Sequence, residues 1–226
     1  MDTWLIITLI AVGVIALVGT IIAVNKHLEK VRREALEKFA EELSLNFFAD
    51  GHEQLMNKVN DFKLFNSGHS RKMANVILGE TEIVNVAIFD YRYTTGSGKH
   101  QHTHHQTVVA MDSSDLNIPS FTMRPESLFD WFGSVLGLQD IDFDEHPKFS
   151  KMFVLKGENE EAIREFFDME LLDFFAERKG ITFEGSPGRF IYFKGGKATK
   201  PEEMRSYLEE GYSVYSAFQS RLSRNR

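Results

Sequence analysis

Residues 83–111, IVNVAIFDYRYTTGSGKHQHTHHQTVVAM, decide how this chain is read. From Ile83 to Tyr93 the side chains alternate: Val84, Val86 and Ile88 point one way, Ala87, Phe89, Tyr91 and Tyr93 the other. Period two in a run rich in β-branched and aromatic residues predicts a strand. Thr94-Thr95-Gly96-Ser97-Gly98 is turn chemistry. Thr103 to Met111 then returns, so the whole stretch is expected as one long β-hairpin.

Outward from the hairpin, Met73–Leu78, a segment near Phe121 ending at Arg124-Pro125, and Met152–Leu155 read as short strands. Ile181–Glu184 and Arg189–Phe193 form a second hairpin around Ser186-Pro187-Gly188. Helices are expected at His52–Asn60, at Ser127–Leu136 with Ser127 as N-cap and Gly137 closing it, and from Glu158 to about Lys179. The last helix is expected to open with a capping box, Thr199 and Glu202, and to run through Met204, Tyr207, Leu208, Tyr215, Phe218 and Leu222. Such runs predict an α+β fold, a mainly antiparallel sheet with packed helices, preceded by one transmembrane helix.

That transmembrane helix is read from WLIITLIAVGVIALVGTIIAV, residues 4–24. It holds no charge and at a helical rise covers ~31 Å, about one hydrocarbon core. Met1-Asp2-Thr3 carries an acid and no Lys or Arg, and Val24-Asn25-Lys26-His27 offers no small-residue cleavage site, so the run reads as an uncleaved anchor and not as a signal peptide. Lys26, Lys30, Arg32, Arg33 and Lys38 follow it, which by the positive-inside bias places the remainder in the cytoplasm, at the inner membrane of a bacterium. Ala16/Thr20 and Gly19/Ala23 are small-xxx-small pairs through which two spans would pack as a homodimer; ordinary composition accounts for them equally. Leu28, Val31, Ala35, Phe39 and Leu43 then form one stripe of a helix expected to dock on its own domain. The chain thus divides into an anchor (1–25), a connecting helix (26–45) and a soluble domain (46–226), with a lobe boundary near 137–140 as an open option.

Composition narrows the function classes. A formal charge of −7 over 226 residues argues against nucleic acid as a partner. With no cysteine there is neither a disulfide framework nor a thiolate site or nucleophile. The 20 Phe all lie outside the apolar run, ample material for a core.

Candidate sites were weighed singly. In an extended strand His100, His102 and His104 project from one face and would suit Zn²⁺, although the first two belong to or adjoin a Gly-rich tip where polar residues are ordinary. Asp140-Ile141-Asp142-Phe143-Asp144-Glu145-His146 begins like a calcium loop but has Glu145 where the turn needs Gly and Lys151 where the bidentate Glu belongs. His52-Glu53-Gln54-Leu55-Met56 lacks the second His of a zincin helix, and neither a phosphate loop nor a Gly-x-Ser-x-Gly elbow is present. Asp90 and Arg92 share the face opposite Tyr91 and Tyr93, as an ion pair or as ligand readers. Arg124 and Glu126 flank Pro125, as a tether of that turn or as part of a ligand site.

FDYRYTTGSGK with HHQTVV, then PSFTMRPE, DIDFDEHPKFSKMFVLKGENEEAIREFF, EGSPGRFIYFKGG and PEEMRSYLEEG, resemble a group of uncharacterised bacterial proteins with one N-terminal membrane span and a soluble α+β domain. The resemblance covers nearly the whole soluble part and implies architecture only, with no activity, cofactor or catalytic residue. The expectation is therefore a single-pass membrane protein presenting a cytoplasmic domain that binds a protein partner through an apolar or aromatic patch on the sheet or last helix. The alternative is a metal-dependent enzyme built on the 100–105 histidines or the 140–146 acids.

Overall fold

The computed structural model of the chain describes residues 3–126 and 139–224. Its first element, α1 (Thr3–Glu42), is one helix of 40 residues that carries the apolar run and its basic flank without a break. The N-terminal part is long and apolar enough to cross a membrane. Of the stripe expected to dock, Phe39 is buried beside Leu36 and Ala40, but Leu28 and Val31 stay 58% and 47% exposed. The reason is geometric: the domain meets α1 only from Arg32 onward, and above that turn the helix projects away from it.

The remaining elements are β1 (Asn46–Phe48), α2 (Glu53–Val59), α3 (Lys63–Asn66), β2 (His69–Glu80), β3 (Asn85–Thr95), β4 (His102–Asp112), β5 (Phe121–Pro125), α4 (Pro147–Ser150), β6 (Phe153–Lys156), α5 (Glu160–Phe166), α6 (Met169–Ala176), β7 (Thr182–Ser186), β8 (Arg189–Phe193) and α7 (Met204–Arg224). All eight strands join one antiparallel sheet in the order β1-β2-β3-β4-β8-β7-β5-β6. The α+β reading holds. The long hairpin pairs without interruption from Asn85↔Asp112 to Thr95↔His102, and a 3-10 turn at Gly98–His100 closes it. The second hairpin docks on the first through Val108↔Phe193 to Asp112↔Arg189, so strands from either side of 137–140 share the sheet. β2 begins at His69, four residues before its apolar part, because the polar residues ahead of Met73 still pair with the end of β3.

Each face of the sheet carries a core. Val86, Ile88, Val109, Met111, Phe183 and Tyr192 pack with Leu36, Phe39 and Ala40 of α1, with α5 and α6, and with Met204, Tyr207, Val214 and Phe218 of α7. Ala87, Phe89, Tyr91, Val108, Ile191 and Phe193 pack on the other side with Leu55 and Val59 of α2 and Leu64 and Phe65 of α3. α7 lies close to its face at Gly211, where a Cβ would stand 2.9 Å from Met111 Cε and 3.1 Å from Tyr192 Cε1.

Two helix expectations change. The helix expected over Glu158–Lys179 is two helices, because Asp168 ends one and starts the next. Its backbone is extended (φ −72°, ψ 172°), and its carboxylate accepts a hydrogen bond from Leu171 N at 3.0 Å as an N-cap. The turn lets both Phe166 and Phe167 enter the core. The expected capping box is also absent: Thr199 N donates to Thr107 Oγ1 (2.9 Å) in the preceding loop, and the chain instead enters α7 through a 3-10 turn beginning at Pro201. The helix expected at Ser127–Leu136 lies outside the described residues.

Candidate functional site

β3 brings Asp90 to the face where α1 docks, and the carboxylate is the centre of a polar node. Arg32 donates to it twice, Nε to Oδ2 at 2.8 Å and Nη2 to Oδ1 at 2.7 Å. Asn75 Nδ2 reaches Oδ2 at 2.9 Å and Thr107 Oγ1 reaches Oδ1 at 3.0 Å. Arg32 Nη1 also donates to Thr199 O at 2.7 Å. One guanidinium thus ties α1 to three strands and to the loop before α7. Asn75 reaches the node because β2 bulges between Ala74 and Ile77, with Asn75 at φ 51°, a left-handed conformation that Asn tolerates better than most residues. The expected partner of Asp90 was Arg92. Arg92 instead remains exposed, two residues further along the strand, while Arg32 occupies the carboxylate.

Beside the node a cleft of about 240 Å³ opens between α1 and the sheet. Glu29, Arg32 and Arg33 line it from α1, Lys72 and Asn75 from β2, Asp90 and Arg92 from β3, and His105 from β4. Lys72 stands directly opposite Arg92, and Arg92 directly opposite His105, so three basic side chains form a row across three strands. Burial, and next the charge of Arg92, lower the His105 pKa from the ordinary histidine value, which keeps the ring neutral at pH 7.

Arg124 is elsewhere. It is buried on the opposite face of the sheet, where a cavity of about 50 Å³ is lined by Lys63, Thr122, Arg124, Lys156, Thr182 and Glu184. Glu184 accepts hydrogen bonds from Lys63 N (2.5 Å) and Leu64 N (3.0 Å), fixing the first turn of α3. Burial pushes its carboxyl up to about 7 despite those two donors. The three residues read as ligand contacts therefore belong to two places: Asp90 and Arg92 to the cleft, Arg124 to this cavity.

The hairpin histidines do not share one strand face, because His100 sits in the 3-10 turn. His102 and His104 are neighbours with ring centroids 4.5 Å apart. His104 is buried, stacks on Tyr93 and meets Thr95 Oγ1 at 2.8 Å. In the acidic segment Ile141 and Phe143 turn into the core, Asp140 Oδ1 accepts from Leu155 N, and Asp142, Asp144 and Glu145 face solvent. His52 caps α2 through Nδ1. Among the described residues, no three His, Asp or Glu side chains stand together as a metal site.

No protein-family model and no curated protein sequence matches this chain. A solved structure does: the crystal structure of the mycobacterial trehalose monomycolate transport factor A, TtfA, has a TM-score of 0.58 with it at 14% identity, covering 86% of this chain and 94% of that one. The likeness is one of fold.

Sequence reasoning missed Arg32 as a site residue because it belonged to the basic flank, where its charge already had a purpose. Asn75 gave no signal, since a bulge is set by pairing with the neighbouring strand. Lys72 became visible only with the register that sets it against Arg92.

Proposed function

We propose that this chain is a single-pass membrane protein whose α1 is an uncleaved anchor, and whose α+β domain binds a protein partner at the cytoplasmic face of a bacterial inner membrane without catalysing a reaction. The observation that carries the reading is the continuity of α1. One helix holds the apolar run at one end and, at the other, the Arg32–Asp90 node and the buried Leu36, Phe39 and Ala40. Removal of residues 1–24 as a signal would leave a helix whose design begins in mid-element. Lys26, Lys30, Arg33 and Lys38 beside the span support the cytoplasmic side. Anchoring raises the local concentration of the domain, so modest intrinsic affinity suffices for a partner in the same membrane.

Among the described residues the only large apolar side chains exposed outside α1 are Phe48, Ile83 and Met169, and the apolar stripe of α7 is buried. The partner surface is accordingly assigned to the exposed face of α1 at Leu28 and Val31, in place of the sheet or α7. A transport factor with the same fold is compatible with this role.

Three measurements test the reading. The full chain is expected to resist carbonate extraction from membranes, and a reporter fused after Arg226 to be active only in its cytoplasmic sense. Crosslinking in native membranes from positions 28 and 31 is expected to capture a membrane protein. An externally active reporter overturns the topology. Stoichiometric metal on the purified chain, with hydrolytic activity that depends on it, overturns the non-catalytic reading.

A further inference from the structure

We propose that the cleft at the root of α1 seats the phosphate of an anionic phospholipid headgroup, from the leaflet out of which α1 emerges. The inference rests on the reading of α1 as an anchor. Its own support is the row Lys72–Arg92–His105. Residues directly opposite on neighbouring antiparallel strands bring like charges close, which destabilises a sheet unless something between them is negative. Arg32 and Arg33 have their acids, Asp90 and Asp50. Among the described residues Lys72 and Arg92 form no salt bridge, although their register holds them side by side. Glu29 offsets one of these two charges, and an oxyanion in the cleft supplies a counter-charge for the other.

The lining agrees in charge and in hydrogen bonding. With Arg32 paired to Asp90 and Arg33 to Asp50, Lys72 and Arg92 face Glu29 alone, which leaves the lining with one positive charge in excess. Arginine and lysine together suit a phosphate, one as a planar fork and the other as a point charge. His105, neutral at pH 7, adds a ring N–H without adding to the repulsion. Asn75, which lines the same cleft, keeps Asp90 in place through its Nδ2.

The cleft begins at the outer edge of the headgroup layer. Glu29 to Arg33 lie roughly 8–14 Å beyond Val24 along α1, and the headgroup layer occupies ~5–8 Å next to the hydrocarbon. Long basic side chains span the remaining distance by extending toward the phosphates.

The test uses the full chain in nanodiscs made from equal parts phosphatidylcholine and phosphatidylglycerol, with native mass spectrometry of the lipids retained on the ejected protein. Wild type is expected to retain phosphatidylglycerol over phosphatidylcholine by about tenfold, as for a few basic groups at an anionic surface. In Lys72→Gln/Arg92→Gln the preference is expected to fall to near unity, whereas Lys26→Gln/Lys30→Gln, which alters only the collar, keeps it. Melting in phosphatidylcholine nanodiscs controls for folding: the cleft variant is expected to melt at or above wild type, since it loses the like-charge contact. Should the double variant unfold, Lys72→Gln alone is expected to lose part of the preference.

Equal retention of both lipids by a wild-type chain that resists carbonate overturns this inference and leaves the anchor standing. Extraction by carbonate overturns both. Inorganic phosphate that binds in phosphatidylcholine nanodiscs and is lost with Lys72 and Arg92, without any phosphatidylglycerol preference, overturns the lipid as the source of the phosphate. An equal loss of preference in the collar variant assigns the effect to the collar and overturns the cleft.

Discussion

Arg32 of α1 and Asp90 of β3, 58 residues apart in the chain, meet through two hydrogen bonds, Nε to Oδ2 at 2.8 Å and Nη2 to Oδ1 at 2.7 Å. Their side chains are 21% and 19% exposed, so water screens the pair only in part. Both carboxylate oxygens have a second donor, from Asn75 and Thr107, and Thr107 Oγ1 in turn accepts from Arg32 Nη2 and Thr199 N. Arg32→Ala leaves a half-buried carboxylate short of two charge-assisted bonds and is expected to cost about 2–4 kcal/mol. Arg32→Lys is expected to restore less than half of that, because an ammonium lacks the fork. Thermal unfolding of the full chain in detergent measures both; a loss under about 0.5 kcal/mol for the alanine variant contradicts the role given to the node.

Glu184 makes stability depend on pH. Its native pKa, about 7, lies above the 4.5 of an ordinary glutamate. Between those values the native state keeps a proton that the unfolded chain has released, so stability falls as pH rises through the window. It is greatest below about 4.5, and the loss is complete above about 7. Glu184→Gln cannot ionise, but it keeps only one of the two acceptor oxygens and turns its NH2 toward the other backbone N–H. It is expected to flatten the dependence while lowering stability at about pH 5 by about 1–3 kcal/mol, the cost of the backbone N–H left without an acceptor. Melting curves from about pH 5 to about pH 8 decide it; parallel curves for the two proteins refute the assignment.

Asp168 joins two helices to a third. Its carboxylate caps α6, and its Oδ2 meets Arg221 Nε at 3.1 Å and Arg224 Nη2 at 2.7 Å on α7. Burial raises the carboxyl, but the hydrogen bonds from Arg224 and Leu171 N and the two arginine charges outweigh it, so the net pKa is below the usual aspartate value. A lowered acid contributes stability that is present above its unfolded pKa and lost as pH falls through the native one. Asp168→Ala is expected to lose about 1–3 kcal/mol, and Asp168→Asn, which keeps the cap, less than half as much. Urea unfolding separates the two.

Much of this fold was legible locally. The hairpin at 83–111 and the tighter one around Ser186-Pro187-Gly188 announce themselves by alternation and turn residues, and α7 by its spacing of apolar side chains. Local pattern does not report what pairs at a distance. That β8 lies against β4 follows from two hairpins matching edges, and that Asp90 finds Arg32 in place of Arg92 follows from where α1 docks. The break at Asp168 was hidden because both flanks have helical spacing, and only the burial of Phe166 together with Phe167 requires the turn. Of the cleft, Asp90 and Arg92 were visible as polar residues in an apolar strand. Lys72 and Asn75 were not, since the bulge and register that matter belong to the sheet.

Gly211 discriminates by size. An added methyl at this position meets the flexible end of Met111 and the edge of Tyr192, while replacing glycine in a helix favours folding. Gly211→Ala is therefore expected to stay within about 1 kcal/mol of wild type, and Gly211→Val, whose two further methyls enter a site where the Cβ already meets Val109 Cγ1 at 3.3 Å, to lose about 1–3 kcal/mol. Chemical denaturation of the three proteins, with unchanged slopes, checks the order.

An unbroken α1 gives the domain a compass bearing as well as an address. Successive residues of a helix turn by roughly 100°, so the azimuth of the span about its own axis is inherited, turn for turn, by Arg32 and by the three strands it grips. A roll of the span by a neighbouring protein reaches the sheet as torque, with no hinge to absorb it. With α1 as the proposed span, one residue inserted between Val24 and Arg32 turns the whole domain by roughly 100° about the helix axis while leaving its contacts with α1 from Arg32 onward in place.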